Sequence, residues 1–91
     1  MMGEVIALIR LMPDGVINDK ELETIIDQIG KVIKSPVKLG RVEIKDIAFG
    51  LRGVNVTVSV PDTAGGLDPV VEILSKINKV DNVEVIDVGR I

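Results

Sequence analysis

Arg52-Gly53-Val54-Asn55-Val56-Thr57-Val58-Ser59-Val60 is the stretch on which the fold turns. Successive side chains of a strand point to opposite faces. Val54, Val56, Val58 and Val60 therefore share one face, and Asn55, Thr57 and Ser59 share the other. The pattern predicts a strand with one face buried and the other polar and wet.

Upstream, Gly50 separates this strand from a second one over Val37 to Ala48. There Val42, Ile44 and Ala48 fall on one parity, and Glu43, Lys45, Ile47 and Phe49 on the other, with Gly40 near the start. That is a half-exposed strand. Before it, Leu22, Ile25, Ile26, Ile29 and Ile33 recur at helical spacing. Asn18 or Asp19 caps this helix, acidic residues fill its first turn, and Ser35-Pro36 stops it. Glu4 to Met12 is almost continuously apolar, as in a central strand, and Pro13-Asp14-Gly15 ends it in a turn.

Downstream, Pro61-Asp62-Thr63-Ala64-Gly65-Gly66 reads as a loop. Asp68 is expected to cap a second helix, with Pro69 first and Glu72 near the end of the first turn. Its apolar stripe is Val70, Ile73, Leu74 and Ile77. Asp81-Asn82 marks a turn, Val83 to Val88 the last strand, and Gly89-Arg90-Ile91 the end.

The order is strand, helix, strand, repeated once. It predicts an α+β, ferredoxin-like βαββαβ sandwich: a four-stranded antiparallel sheet with both helices on one face. The 91 residues suit a single domain over 1–91. Because this fold hosts unrelated activities, function has to come from particular residues.

Composition narrows the classes. Cysteine and histidine are both absent. That removes disulfides, the usual zinc ligands, and the Ser-His and Cys-His nucleophile pairs. Their loss disfavours an enzyme, although carboxylates and lysines still allow acid–base work. With a net charge of −3 and one aromatic, the chain is poorly equipped to bind nucleic acid, which needs a basic face and stacking rings. The longest apolar runs, such as Val5–Ile9, are far too short to span a bilayer, and Met1-Met2-Gly3-Glu4 lacks a basic leader. No cofactor is expected, and the cytoplasm is the expected location.

Several sites are candidates on pattern. Gly65-Gly66 before a helix suggests an anion cradle, but Asp62 and Asp68 flank it and would repel phosphate. Asp19, Glu21 and Glu23 suggest a hard-metal site, yet carboxylates are routine where a helix starts. For Phe49 the pattern leans towards the core, while its parity with Glu43 and Lys45 favours the exposed face. There, near Arg52, it would make an interface anchor. Arg90 is a solvated terminal charge or a cation held at the sheet edge to probe a partner. The first connection, Met12 to Ile17, lacks the glycine-rich loop of an acylphosphatase, and the sheet lacks RNA-stacking aromatics. A small-molecule-sensing regulatory domain stays open as an alternative.

Three blocks together carry a resemblance: Asp46-Ile47-Ala48-Phe49-Gly50-Leu51-Arg52; Val60-Pro61-Asp62 with Gly65-Gly66-Leu67-Asp68; and Val85-Ile86-Asp87-Val88-Gly89-Arg90-Ile91. In this order and length the chain resembles the archaeal elongation factor 1-beta family over essentially its whole extent. The resemblance implies the ferredoxin-like fold and guanine nucleotide exchange on elongation factor 1-alpha, a GTPase, with no substrate chemistry by the factor itself. It implies that residues 46–52 form the partner contact, with Phe49 packing against the GTPase. It likens the chain to the C-terminal exchange domain of longer eukaryotic relatives, in which a Lys before the last residue enters the partner's magnesium site. By position that role falls on Arg90, followed by Ile91. Arg is the bulkier, planar donor of the two.

Overall fold

A computed structural model of the protein describes residues 3–34, 37–61 and 67–90. The elements run β1 (Glu4–Pro13), α1 (Asp19–Val32), β2 (Lys38–Ala48), β3 (Leu51–Pro61), α2 (Asp68–Ser75) and β4 (Val80–Arg90). All pairings are antiparallel and the sheet order is β2-β3-β1-β4. This is the α+β, ferredoxin-like arrangement expected from the sequence.

The registers define the core. Ala7, Ile9 and Leu11 of β1 stand opposite Val58, Val56 and Val54 of β3, and all six are buried. Leu22, Ile25 and Ile29 of α1 close over them, with Val70 and Leu74 of α2. Spacings of three and four residues put each helical set on one face. Each fully buried aliphatic side chain contributes about 1.5–3 kcal/mol of transfer free energy.

The start of α1 is set by local hydrogen bonds. Asn18 Oδ1 accepts from the Glu21 backbone N–H at 2.8 Å, and Glu21 Oε1 accepts from the Asn18 N–H at 3.5 Å. This capping box leaves Asn18, of the two candidates, as the cap. The Ser35-Pro36 stop lies outside the described residues; the last helical residue is Val32.

Four expectations are corrected. Asp68 is not the cap of α2 but its first residue. Leu67 holds the cap position without a side-chain bond. A proline in the first turn needs no N–H partner, so that turn forms with the Asp68 charge simply facing the helix dipole. Ile73 is not buried but 41% exposed, because an eight-residue helix turns only Val70 and Leu74 onto the sheet. Asp81-Asn82 is not a turn: β4 begins at Val80, Asn82 pairs with Met12, and the reversal occurs just before, at Lys79 with φ 71°. Polar residues are at home on such an edge strand. Finally, the second face of β3 is polar but only partly wet: Thr57 and Ser59 are half-buried and Asn55 is buried. Asn55 is only 8% exposed and accepts from Arg10 Nε at 3.1 Å, and Ser59 Oγ is shut from solvent without a partner among the described residues. β1 places Ile6, Leu8 and Arg10 directly opposite Ser59, Thr57 and Asn55, so each short polar side chain has a longer neighbour beside it.

Candidate functional site

β2 and β3 close in a two-residue turn, Phe49-Gly50, flanked by the Ala48–Leu51 pair. Both residues have positive φ, 52° and 80°. A hairpin this tight needs left-handed backbone at both central positions, which is why Asn-Gly is the favoured pair. Gly50 meets the demand at no steric cost. A bulky residue meets it only against its own preference. Phe49 is nevertheless there, and it is 98% exposed. The sole aromatic of the chain thus packs against nothing and sits on strained backbone. Strain of this kind collects at binding sites.

The turn is braced from one side. Arg52 donates from Nη1 to Asp19 Oδ1 and from Nη2 to the Ile17 carbonyl, the latter at 3.0 Å. Its guanidinium therefore joins the start of β3 to the connection between β1 and α1. Val16 of that connection lies against the turn, with Cγ2 4.0 Å from the place a Cβ on Gly50 would take. On the open sheet face, Ile47 and Met12 close over Gly53: a Cβ there would stand 3.3 Å from Ile47 Cδ1 and 3.2 Å from Met12 Sδ. The register shifts between Asp46 and Ala48, so Ile47 is the extra residue of a bulge that leads into the turn.

A third connection, between α2 and β4, meets the one between β1 and α1. The Asp14 N–H donates to the Lys79 carbonyl at 2.9 Å, and Lys79 Nζ pairs with the Glu21 carboxylate. The hydrogen bond from Lys79, with the Asn18 backbone N–H behind it, holds the Glu21 carboxyl below its ordinary value. Among the described residues, positive φ occurs only at Gly15, Phe49, Gly50 and Lys79. All four belong to these three connections, at one end of the sheet.

The residues expected at the contact surface do not all behave alike. Phe49 and Gly50 form the tip, Asp46 and Ile47 lie exposed before it, and Leu51 is half-buried after it. Ala48 is the last residue of β2. Arg52 is turned inward onto Asp19 and Ile17. Arg90 ends β4 and pairs with Val5, whose other neighbour is Val60. Counting along β3 from Leu51 to Val60 at about 3.4 Å per residue puts Arg90 roughly 30 Å from the turn. The fold therefore does not bring Phe49 and Arg90 together. Ile91 lies outside the described residues, as do Asp62, Gly65 and Gly66 of the candidate anion cradle.

Sequence reasoning missed Val16, the Arg52 brace and the Lys79 turn. A single valine between Gly15 and Ile17 carries no periodic signal, and side-chain bonds across 33 residues leave none in local pattern. Between the helices lies a groove of about 470 Å³, with Ile25, Val32, Ile73 and Ile77 as its apolar wall. Among the described residues no group of carboxylates is placed to hold a metal ion, and no helix is long and apolar enough to cross a membrane.

Residues 6–91 match the family described as the EF-1 guanine nucleotide exchange domain. A protein named elongation factor 1-beta from Methanocella arvoryzae is 39% identical over 89 residues, covering 98% of each chain. One of the same name from Methanosarcina barkeri is 41% identical over 91 residues, covering 99% of this chain and 100% of that one. Among solved structures, the ACT domain from the GTP pyrophosphokinase of Chlorobium tepidum superposes with a TM-score of 0.61, covering 90% of this chain and 97% of that one. At 22% identity, that likeness concerns the fold alone.

Proposed function

The chain belongs to the EF-1 guanine nucleotide exchange domain family, and from that premise we propose that its exchange surface is built on two separated points, the Phe49 turn and the end of β4 at Arg90. Its function is guanine nucleotide exchange on elongation factor 1-alpha in translation elongation. The ligand-sensing alternative is not favoured.

Exchange asks no covalent step of the factor. A GTPase holds its nucleotide through a phosphate loop and a magnesium ion. A factor that binds the empty GTPase better than the loaded one accelerates release, since a ligand shifts an equilibrium only by its differential affinity. Two roles suffice, an anchor and a probe. Phe49 suits the first: it is a rigid aromatic on a braced turn, and little ordering remains for binding to impose. Arg90 suits the second by its place in the chain. The two lie roughly 30 Å apart along the sheet at strand spacing, so the partner surface must span most of the factor's 45 Å length.

The observation that carries this reading is a fully exposed, conformationally strained Phe49 inside the matched family region. Release of a fluorescent GDP from purified elongation factor 1-alpha tests it. The intact protein at micromolar concentration should accelerate release. Removal of Arg90 and Ile91 should lower the maximal rate more than it weakens binding. Equal losses in both would leave the tail a contact and not a probe.

A further inference from the structure

We propose that Val16 is a second apolar anchor of the exchange surface, seated beside Phe49 so that one apolar cleft of the partner receives both side chains. This rests on the reading of Phe49 as a partner contact.

Phe49 at 98% and Val16 at 68% are the two most exposed large apolar side chains among the described residues; the next, Val88, is at 50%. A lone exposed aliphatic residue means little on a protein surface. Here the two extremes come from different connections, and the folded chain brings Val16 against the turn that carries Phe49. Val16 Cγ2 lies 4.0 Å from where a Cβ on Gly50 would stand, and Gly50 adjoins Phe49 in the chain.

Nor is Val16 exposed because its segment is loose. Asp14 is bonded to Lys79 on one side of it. On the other, the Ile17 side chain is buried and its carbonyl accepts from Arg52, and Asn18 then enters the capping box. Neighbours fixed on both sides hold Val16 outward. A β-branched side chain on such a segment has few rotamers to lose on binding. The matching partner surface is an apolar cleft with a deep end for the phenyl ring and a shallower wall for the isopropyl group. It needs no charge at that wall.

The test uses the intact protein in the same GDP-release assay, titrated to separate the half-maximal concentration from the maximal rate. Val16→Ser should raise the half-maximal concentration about five- to tenfold, the scale set by burying one small aliphatic side chain in an interface, and leave the maximal rate unchanged. Its melting temperature should match that of the parent, since the side chain is not in the core. Val16→Ser and Phe49→Ala combined should lose less than the product of the single losses, as expected of neighbours in one cleft. Unchanged exchange by Val16→Ser, while Phe49→Ala weakens binding, overturns the Val16 inference and leaves the Phe49 reading standing. If Phe49→Ala also leaves binding unchanged, both fall.

Discussion

The guanidinium of Arg52 bridges two points where the connection between β1 and α1 meets the helix, the carboxylate of Asp19 at 2.5 Å and the carbonyl of Ile17 at 3.0 Å. The rest of α1 and all of β2 lie between these segments in sequence. The two bonds differ in worth. Asp19 is largely exposed, so its charge pair is well screened by water. The carbonyl bond is part-buried, and without Arg52 that carbonyl would be left unsatisfied.

Arg52→Ala should therefore destabilise the fold by about 1–2 kcal/mol. Asp19→Asn should cost under about 1 kcal/mol, because the Ile17 bond survives it. Urea unfolding of both variants measures the difference. Equal losses would mean that the ion pair, not the carbonyl bond, braces the turn.

Phe49 sets stability against activity. Asn-Gly is the favoured pair for a turn with two positive φ angles, and Phe49 occupies the first of these at 52°. Its side chain contributes no core burial. Phe49→Asn should thus raise stability by about 0.5–1 kcal/mol, or several degrees of melting temperature, while weakening productive binding to the GTPase. Thermal unfolding and GDP release on the same sample separate the two effects. A variant that melts lower would show that the ring supports the fold.

Glu21 links the Lys79 turn to acidity. Hydrogen bonds from Lys79 and from the Asn18 backbone hold its folded carboxyl below the ordinary value of 4.5. A depressed folded value favours the native state fully above the unfolded value. That contribution is lost as pH falls from about 4.5 through the lower, folded value. Glu21→Gln cannot titrate. The stability gap between parent and variant should be constant above about pH 4.5 and narrow below it. Urea midpoints across pH 2.5–7, an experimental range of about four to five units, would record this. A gap independent of pH would detach Glu21 from the acid response.

The sheet and its helices were legible in the chain because their signals are local and periodic. Valine at every second position of 54–60 admits one strand with one buried face, and the Leu22–Ile29 spacing admits one helical face. Where exposure or a turn is read from polar composition, pattern misleads. Asp81-Asn82 has turn composition, but pairing with β1 draws it into β4. Asn55 has the composition of a wet face, but Arg10 lies over it. The Asp46–Arg52 block marked the proposed contact region by family resemblance, without saying which of its side chains face a partner.

By itself, the sequence determined the order of elements, the buried faces and the absence of histidine and cysteine chemistry, since each follows from residue type and spacing alone. Only the tertiary structure decided that Phe49 stands free while Arg52, three residues on, turns inward. It also brought Val16 to the same tip and put Arg90 at the far end of the sheet. Those facts depend on which distant segments meet. Antiparallel registers and side-chain bonds across 33 residues set that, and no local pattern encodes it.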